Sequence, residues 1–148
     1  DAAPYQVGSL KREELLATNS MLLHDLYFAN LGGNGRADGT AGGLLKAEYG
    51  SLDAWEHEFR QTALSLGGGS GWVVVAWDRP SQSLHNWWSW DPAHQMAGGE
   101  PVLVLDLYDH AYAMDYGAAT KAYLDAFLAN VLWDEVNRRV ERARGKTS

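Results

Sequence analysis

Chemistry in this chain falls to imidazoles and carboxylates. There is no cysteine, which excludes disulfides, iron–sulfur clusters, thiolate zinc sites and cysteine nucleophiles. Histidine occurs five times, as His24, His57, His85, His94 and His110. Asp106 and His110 stand out. Asp106 closes the apolar run Pro101–Leu105, and His110 follows four residues later. A strand that ends in a carboxylate and then enters a helical turn can aim both side chains at one point, and that pair of groups suits Fe, Mn or Zn. The same spacing is met by an Asp that caps the turn and a core His bonded to backbone. His24 lies among Met21, Leu22, Leu23, Tyr27 and Phe28. A His in such a setting is either a satisfied core residue or a ligand. Taken together, His24, Asp106 and His110 would form a 2-His-1-carboxylate set.

The other candidates are weaker. His57, between Glu56 and Glu58, reads as solvent-facing, and His85 and His94 as outer-shell or surface groups. Gly69-Ser70-Gly71 is not a nucleophile elbow. The run Gly67–Gly71 ends a helix and enters a strand, the reverse of a phosphate loop. No pair of carboxylates has the apolar flanks of a glycosidase. The basic C-terminal stretch (Arg138, Arg139, Arg142, Arg144, Lys146) is interleaved with Glu135 and Glu141 and reads as a solvated helix face. A net charge of −7 argues against nucleic acid or an anionic membrane as partner. The apolar runs Trp72–Trp77 and Pro101–Leu105 are far shorter than the roughly 20 residues of a membrane helix. Cytoplasm is the favoured compartment, although the absence of cysteine does not fix it.

Which elements position these groups? With 148 residues and 46% apolar content, the chain has the material for one cored domain. Residues 1–10, with Pro4 and Gly8, read as a lead-in. Ser9 is a cap for a helix running to Leu31, apolar nearly all round and so in need of cover on several sides. A glycine-rich loop leads to a short helix at Leu44–Tyr49, and Ser51 caps another that runs to about Leu66. Strands are expected at Trp72–Asp78, Leu84–Trp90 and Val102–Leu107, the first two joined as a hairpin. Helical segments follow at Tyr108–Tyr116, Ala118–Val131 and Asp134–Arg144. The order gives an α+β fold, with helices packed on a small three-stranded antiparallel sheet. Seven Trp and seven Tyr favour an aromatic interior or interface.

Four ordered segments resemble the iron/manganese superoxide dismutase family. Pro101-Val-Leu-Val-Leu-Asp106-Leu-Tyr-Asp-His110-Ala-Tyr112, followed by Asp115-Tyr116, is similar to the family signature Asp-Val-Trp-Glu-His-Ala-Tyr. Asn19 through Gly33 resembles the helix that carries the family's second ligand, residues 50–59 its "GS…W…F" helix, and Gly69-Ser70-Gly71-Trp72 its entry into the sheet. The resemblance covers about residues 12–144. It implies one domain over 1–148, with 9–35 a remnant of an N-terminal helical part and 40–148 a C-terminal α/β unit.

By position, the resemblance makes His24, Asp106 and His110 ligands of one Fe or Mn ion. Asp109, which stands where the signature has Glu, and Tyr112 would bridge a homodimer. Trp72 and Tyr108 would line an aromatic pocket, with Trp77 or Trp90 as further candidates. The implied reaction is disproportionation of superoxide to dioxygen and hydrogen peroxide, an antioxidant activity. With the net charge repelling the substrate, steering would fall to Lys11, Arg12 or Lys46. Three features depart from the family. Its first His and gateway Tyr have no counterpart before His24, so the chain, beginning at Asp1 rather than Met, reads as trimmed at its front. Its outer-sphere Gln is not evident, with Ser20 at one possible position and Trp90–Gln95 near the other. Thr120 or Lys121 stands where members carry an Arg. Two alternatives therefore accompany the enzyme: other chemistry at an incomplete 2-His-1-carboxylate site, or a non-catalytic structural relative. The all-round apolar helix predicts that a missing hairpin or a partner subunit covers part of it.

Overall fold

In a computed structural model of the chain, residues 2–66 and 70–145 are described; most of the glycine run at 67–71, together with Lys146, lies outside them. The sheet is built around β1 (Trp72–Asp78), whose run of Trp, Val and Ala is buried on both faces because helices cover each side. It pairs antiparallel with β2 (Ser83–Ser89) through the turn at 79–82, and antiparallel with β3 (Gly99–Asp106), giving the order β2-β1-β3. Trp72 stands opposite Asp106 in the β1–β3 register. The carboxylate therefore sits where the central strand begins. The fold is α+β with a three-stranded antiparallel sheet, as expected, and the strand limits fall within three residues of those read from the sequence.

Six helices surround the sheet: α1 (Pro4–Ala29), α2 (Gly39–Tyr49), α3 (Leu52–Ser65), α4 (Asp109–Tyr116), α5 (Thr120–Ala129) and α6 (Trp133–Ala143). Two starts differ from expectation. Helix α1 begins at Pro4, not Ser9, because proline at the first helical position gives up an N–H that would be unpaired there anyway. The Gln6 side chain accepts from the Ala3 N–H at 2.9 Å and closes that end. Helix α2 begins at Gly39 inside the supposed loop; Asn137 of α6 accepts the Ala41 N–H and donates to the Asp38 carbonyl, a cap supplied across the fold. Ser51 caps α3 as read, its hydroxyl accepting from Ala54 N at 3.0 Å.

Helix α1 is buried only near its C-terminal end, with Asn19 donating to Pro92 O as a further tie. Leu23, Tyr27 and Asn30 are buried, while Tyr5, Leu10, Met21, Leu22 and Phe28 are exposed. An apolar face not covered by the described residues is what the sequence predicts. Beyond it, Gly33 packs so closely that a Cβ there would lie 2.2 Å from the Val131 carbonyl oxygen. That approach lets Leu31 bridge Val131 and seats the end of α1 beside the α5–α6 junction.

The C-terminal basic stretch is not a uniformly solvated face. Arg139 is 1% exposed, its guanidinium spent on Glu135, Val102 O and Leu26 O. Arg144 lies over the Trp77 ring at 5.8 Å. Only Arg138 and Arg142 of the described arginines in that stretch are largely exposed.

Candidate metal centre

Asp106 is delivered by the end of β3 and is 1% exposed. Its Oδ1 accepts the Tyr108 N–H at 2.9 Å, which fixes the carboxylate plane and turns Oδ2 toward the imidazoles. His110 enters one residue into α4, and its Nε2 stands 3.1 Å from Asp106 Oδ2. From the other side, α1 brings His24, whose Nε2 is 3.4 Å from the same oxygen and 3.3 Å from His110 Nε2. Three groups separated by up to 86 positions thus converge, and among the described residues this is the one cluster of three or more such groups able to hold a metal ion.

The donor geometry fits such an ion. Nitrogen and oxygen donors bind ions such as zinc at about 2.0–2.2 Å. Donors at that radius, set roughly 90–110° apart around one centre, are separated by about 3.0–3.5 Å, the spacing found here. The tautomer fits as well. His24 Nδ1 is 2.7 Å from the Ser20 carbonyl, so its N–H is held there and the Nε2 lone pair faces the cluster. Burial pushes the Asp106 carboxyl above its ordinary value, opposed by the Tyr108 N–H and the two imidazoles. A buried acceptor of this kind calls for a positive partner, and a cation supplies one.

Aromatic rings close the cluster on two sides. The Trp72 indole meets His24 edge-on at 4.9 Å, and Tyr108 stacks on His110 at 5.5 Å with the planes 9° apart. Trp72 Nε1 is buried and has no protein acceptor among the described residues. The open side is His110, with 60% of its side chain exposed.

The structure separates the remaining candidates. Trp77 lies at the far end of β1, under Arg144, and Trp90 is exposed and packs on Trp88 and His94; neither joins the cluster. Tyr112 lies on the inner side of α4. It is 7% exposed and stacks on Tyr123 at 4.7 Å, because its place on α4 turns it into the core. Asp109 is exposed. His57 is exposed as read, His85 bonds Ser83, and Gln95 donates to Pro92 O rather than to the cluster. Lys11 and Arg12 pair with Glu14 and Glu13, and Arg12 also lies 3.7 Å from Asp91. Two further rings lie near the cluster. Phe28 stacks beside His24 at 6.4 Å and was signalled by its i+4 spacing on the helix. Tyr123, whose hydroxyl donates to the Asp106 carbonyl at 2.8 Å, carried no local signal.

The profile of the iron/manganese superoxide dismutase C-terminal domain matches residues 38–139. An iron superoxide dismutase of Cupriavidus metallidurans is 46% identical over 142 residues, covering 96% of this chain and 72% of that protein. An iron superoxide dismutase of Aquifex aeolicus is 34% identical, covering 90% and 63%. A manganese superoxide dismutase of Haloferax volcanii is 35% identical over 126 residues, covering 82% and 61%. The chain belongs to the iron/manganese superoxide dismutase family. It spans about three-fifths to seven-tenths of the length of these relatives.

Proposed function

We propose that this protein is a superoxide dismutase, converting two superoxide ions and two protons into dioxygen and hydrogen peroxide at one Fe or Mn ion held by His24, Asp106 and His110. The observation that carries the reading is the convergence of three donor atoms, each within 3.4 Å of the other two, in a chain similar to named Fe and Mn superoxide dismutases. Held by these three residues, Fe or Mn would supply one-electron redox chemistry. The protein's part is to hold and tune it. Asp106 contributes an anionic donor whose second oxygen is pinned by Tyr108 N–H. Ser20 O keeps His24 in the tautomer that presents Nε2. Trp72 and Tyr108 limit water and brace the imidazoles.

The domain division into a helical remnant (9–35) and an α/β unit (40–148) belongs to the same reading, and the profile match beginning at residue 38 supports it. So does pairing into a homodimer, for which Asp109, exposed beside His110, is the candidate bridge. The test is metal analysis of the purified protein together with a superoxide dismutation assay. One Fe or Mn per chain with dismutation is expected, and His24→Ala and Asp106→Ala should each lose both. Full metal content in either variant would remove that residue from the site. Metal bound without dismutation would favour other chemistry at a 2-His-1-carboxylate centre. Sedimentation at micromolar concentration, with Asp109→Ala as comparison, tests the dimer.

A further inference from the structure

Among the described residues, the edge of β3 that faces away from β1 meets no further strand. In an antiparallel strand alternate residues turn both backbone polar groups to the same edge, and here these are Val102, Val104 and Asp106. Buried backbone groups need partners, and three side chains supply them in turn. Arg139 donates to Val102 O at 3.2 Å. The Asn30 amide accepts from Val104 N at 2.8 Å and donates to Val104 O at 3.2 Å, as a paired strand would. The Tyr123 hydroxyl donates to Asp106 O at 2.8 Å.

Tyr123 is the junction of this side-chain ladder with the candidate centre. Its single hydroxyl hydrogen is spent on Asp106 O, so the 3.0 Å contact between the Tyr27 and Tyr123 oxygens is donated by Tyr27. Its ring lies flat against Tyr112, 4.7 Å away and 11° from parallel. Tyr27 belongs to α1, three residues from His24, and Tyr112 to α4, two residues from His110. One side chain therefore touches each of the three elements that deliver a donor, and touches none of the donors' reacting atoms.

We propose that Tyr123 is a positioning residue of the metal centre, tying β3, α1 and α4 into the one arrangement in which Asp106, His24 and His110 share an ion. The inference rests on the reading of those three as ligands. A metal site tolerates donor displacements of only about 0.2 Å, so a loosened junction changes how the ion is held before it changes whether the chain folds. Asn30 and Arg139 hold the rest of the strand edge and fix how far along β3 the helix α1 sits.

Tyr123→Phe removes one oxygen and keeps the stacked ring. In the iron-loaded protein it is expected to weaken iron binding roughly tenfold, the lower range for partners that orient ligands. It should also displace the ligand-field absorption of the ferric protein while moving Tm by only a few degrees. Tyr27→Phe, which leaves the Tyr123–Asp106 bond in place, should shift the same spectrum less. Unchanged iron affinity and spectrum in Tyr123→Phe would overturn the proposal, even with a lowered Tm. If Tyr123→Phe does not fold, the Tyr27→Phe spectrum decides: a shift supports the proposal and an identical spectrum refutes it. His110→Ala separates the two readings. Iron retained in that variant overturns the ligand assignment itself. Iron lost there but held normally by Tyr123→Phe overturns only the positioning role.

Discussion

From Val102 to Asp106, β3 leaves almost no surface to solvent, whereas along α1 Tyr5, Leu10, Met21 and Phe28 leave about half or more of theirs. Both elements carry a proposed ligand. On β3 the ligand follows from the core: β1 pairs with one edge, and side chains from three other elements satisfy the second. On α1 it follows from a short anchor, since Leu23, Tyr27 and Asn30 are the residues buried along and just after the helix. Of the twenty helical residues that precede His24, Leu23 and the Ser20 carbonyl hold it directly, and the exposed turns at the start of the helix add little to its placement. A helix of that length spans about 30 Å, yet the imidazole is set by the two turns nearest the sheet. Position in a metal site thus depends on what holds the residues next to the ligand rather than on the extent of the element that carries it.

The largest effect expected from testing this contrast is Asp106→Ala, which should take bound iron to background, measured by elemental analysis. It removes the anionic donor and the oxygen that faces both imidazoles. Next comes Leu103→Ala in the fully buried stretch of β3, expected to cost about 2–5 kcal/mol in urea unfolding because a large-to-small change there leaves a cavity. A loss under 1 kcal/mol would mean that the strand is less tightly held than its burial indicates.

A smaller effect concerns acid. Glu135 pairs with Arg138 and Arg139, and the Arg138 hydrogen bond, more than the Arg139 one, holds its carboxyl below the usual value against a burial effect of opposite sign. A carboxyl depressed in the folded state stabilises it fully above its unfolded value of about 4.3, and that contribution is lost as pH falls through the folded value. Urea midpoints should therefore drop below about pH 4.5, and Glu135→Gln should flatten that part of the profile. An identical acid profile in the variant would detach Arg139's strand-edge contact from Glu135. The smallest effect is Leu10→Ala on exposed α1, expected within about 0.5 kcal/mol of the parent. A larger loss would show that the first turns of α1 are covered in solution, the result a packed hairpin or partner would give.

Much of the architecture was legible because its signals are local. Trp72–Trp77 is an unbroken apolar run with Gly71 before it and Pro80 shortly after it, and such a run in a small α+β chain has few other uses. Ser51 announces α3 by capping chemistry that involves only four consecutive residues. Asp106 and His110 were readable because a strand end and the following turn bring i and i+4 together. His24 was a candidate by its surroundings and a ligand only through the family resemblance, since nothing within α1 says what lies opposite it. The misreadings have the same root. Pro4 looked like a breaker because its harmlessness depends on where the helix starts. Arg139 looked solvated because its neighbours along α6 are charged, while its actual partners, Val102 O and Leu26 O, are 37 and 113 positions away.

Residue types and short-range spacing were enough to settle the element order, the sheet and the chemistry available, because periodicity, capping and ligand identity are properties of neighbouring residues. The shared point in space was settled by folding alone. It takes the Asn30 amide on a strand edge, the Tyr123 hydroxyl on Asp106 O and a glycine at 33 that admits close backbone contact to bring His24 within 3.4 Å of a carboxylate 82 positions later. These are long-range contacts whose partners leave no periodic trace along the chain, so no local pattern could have named them.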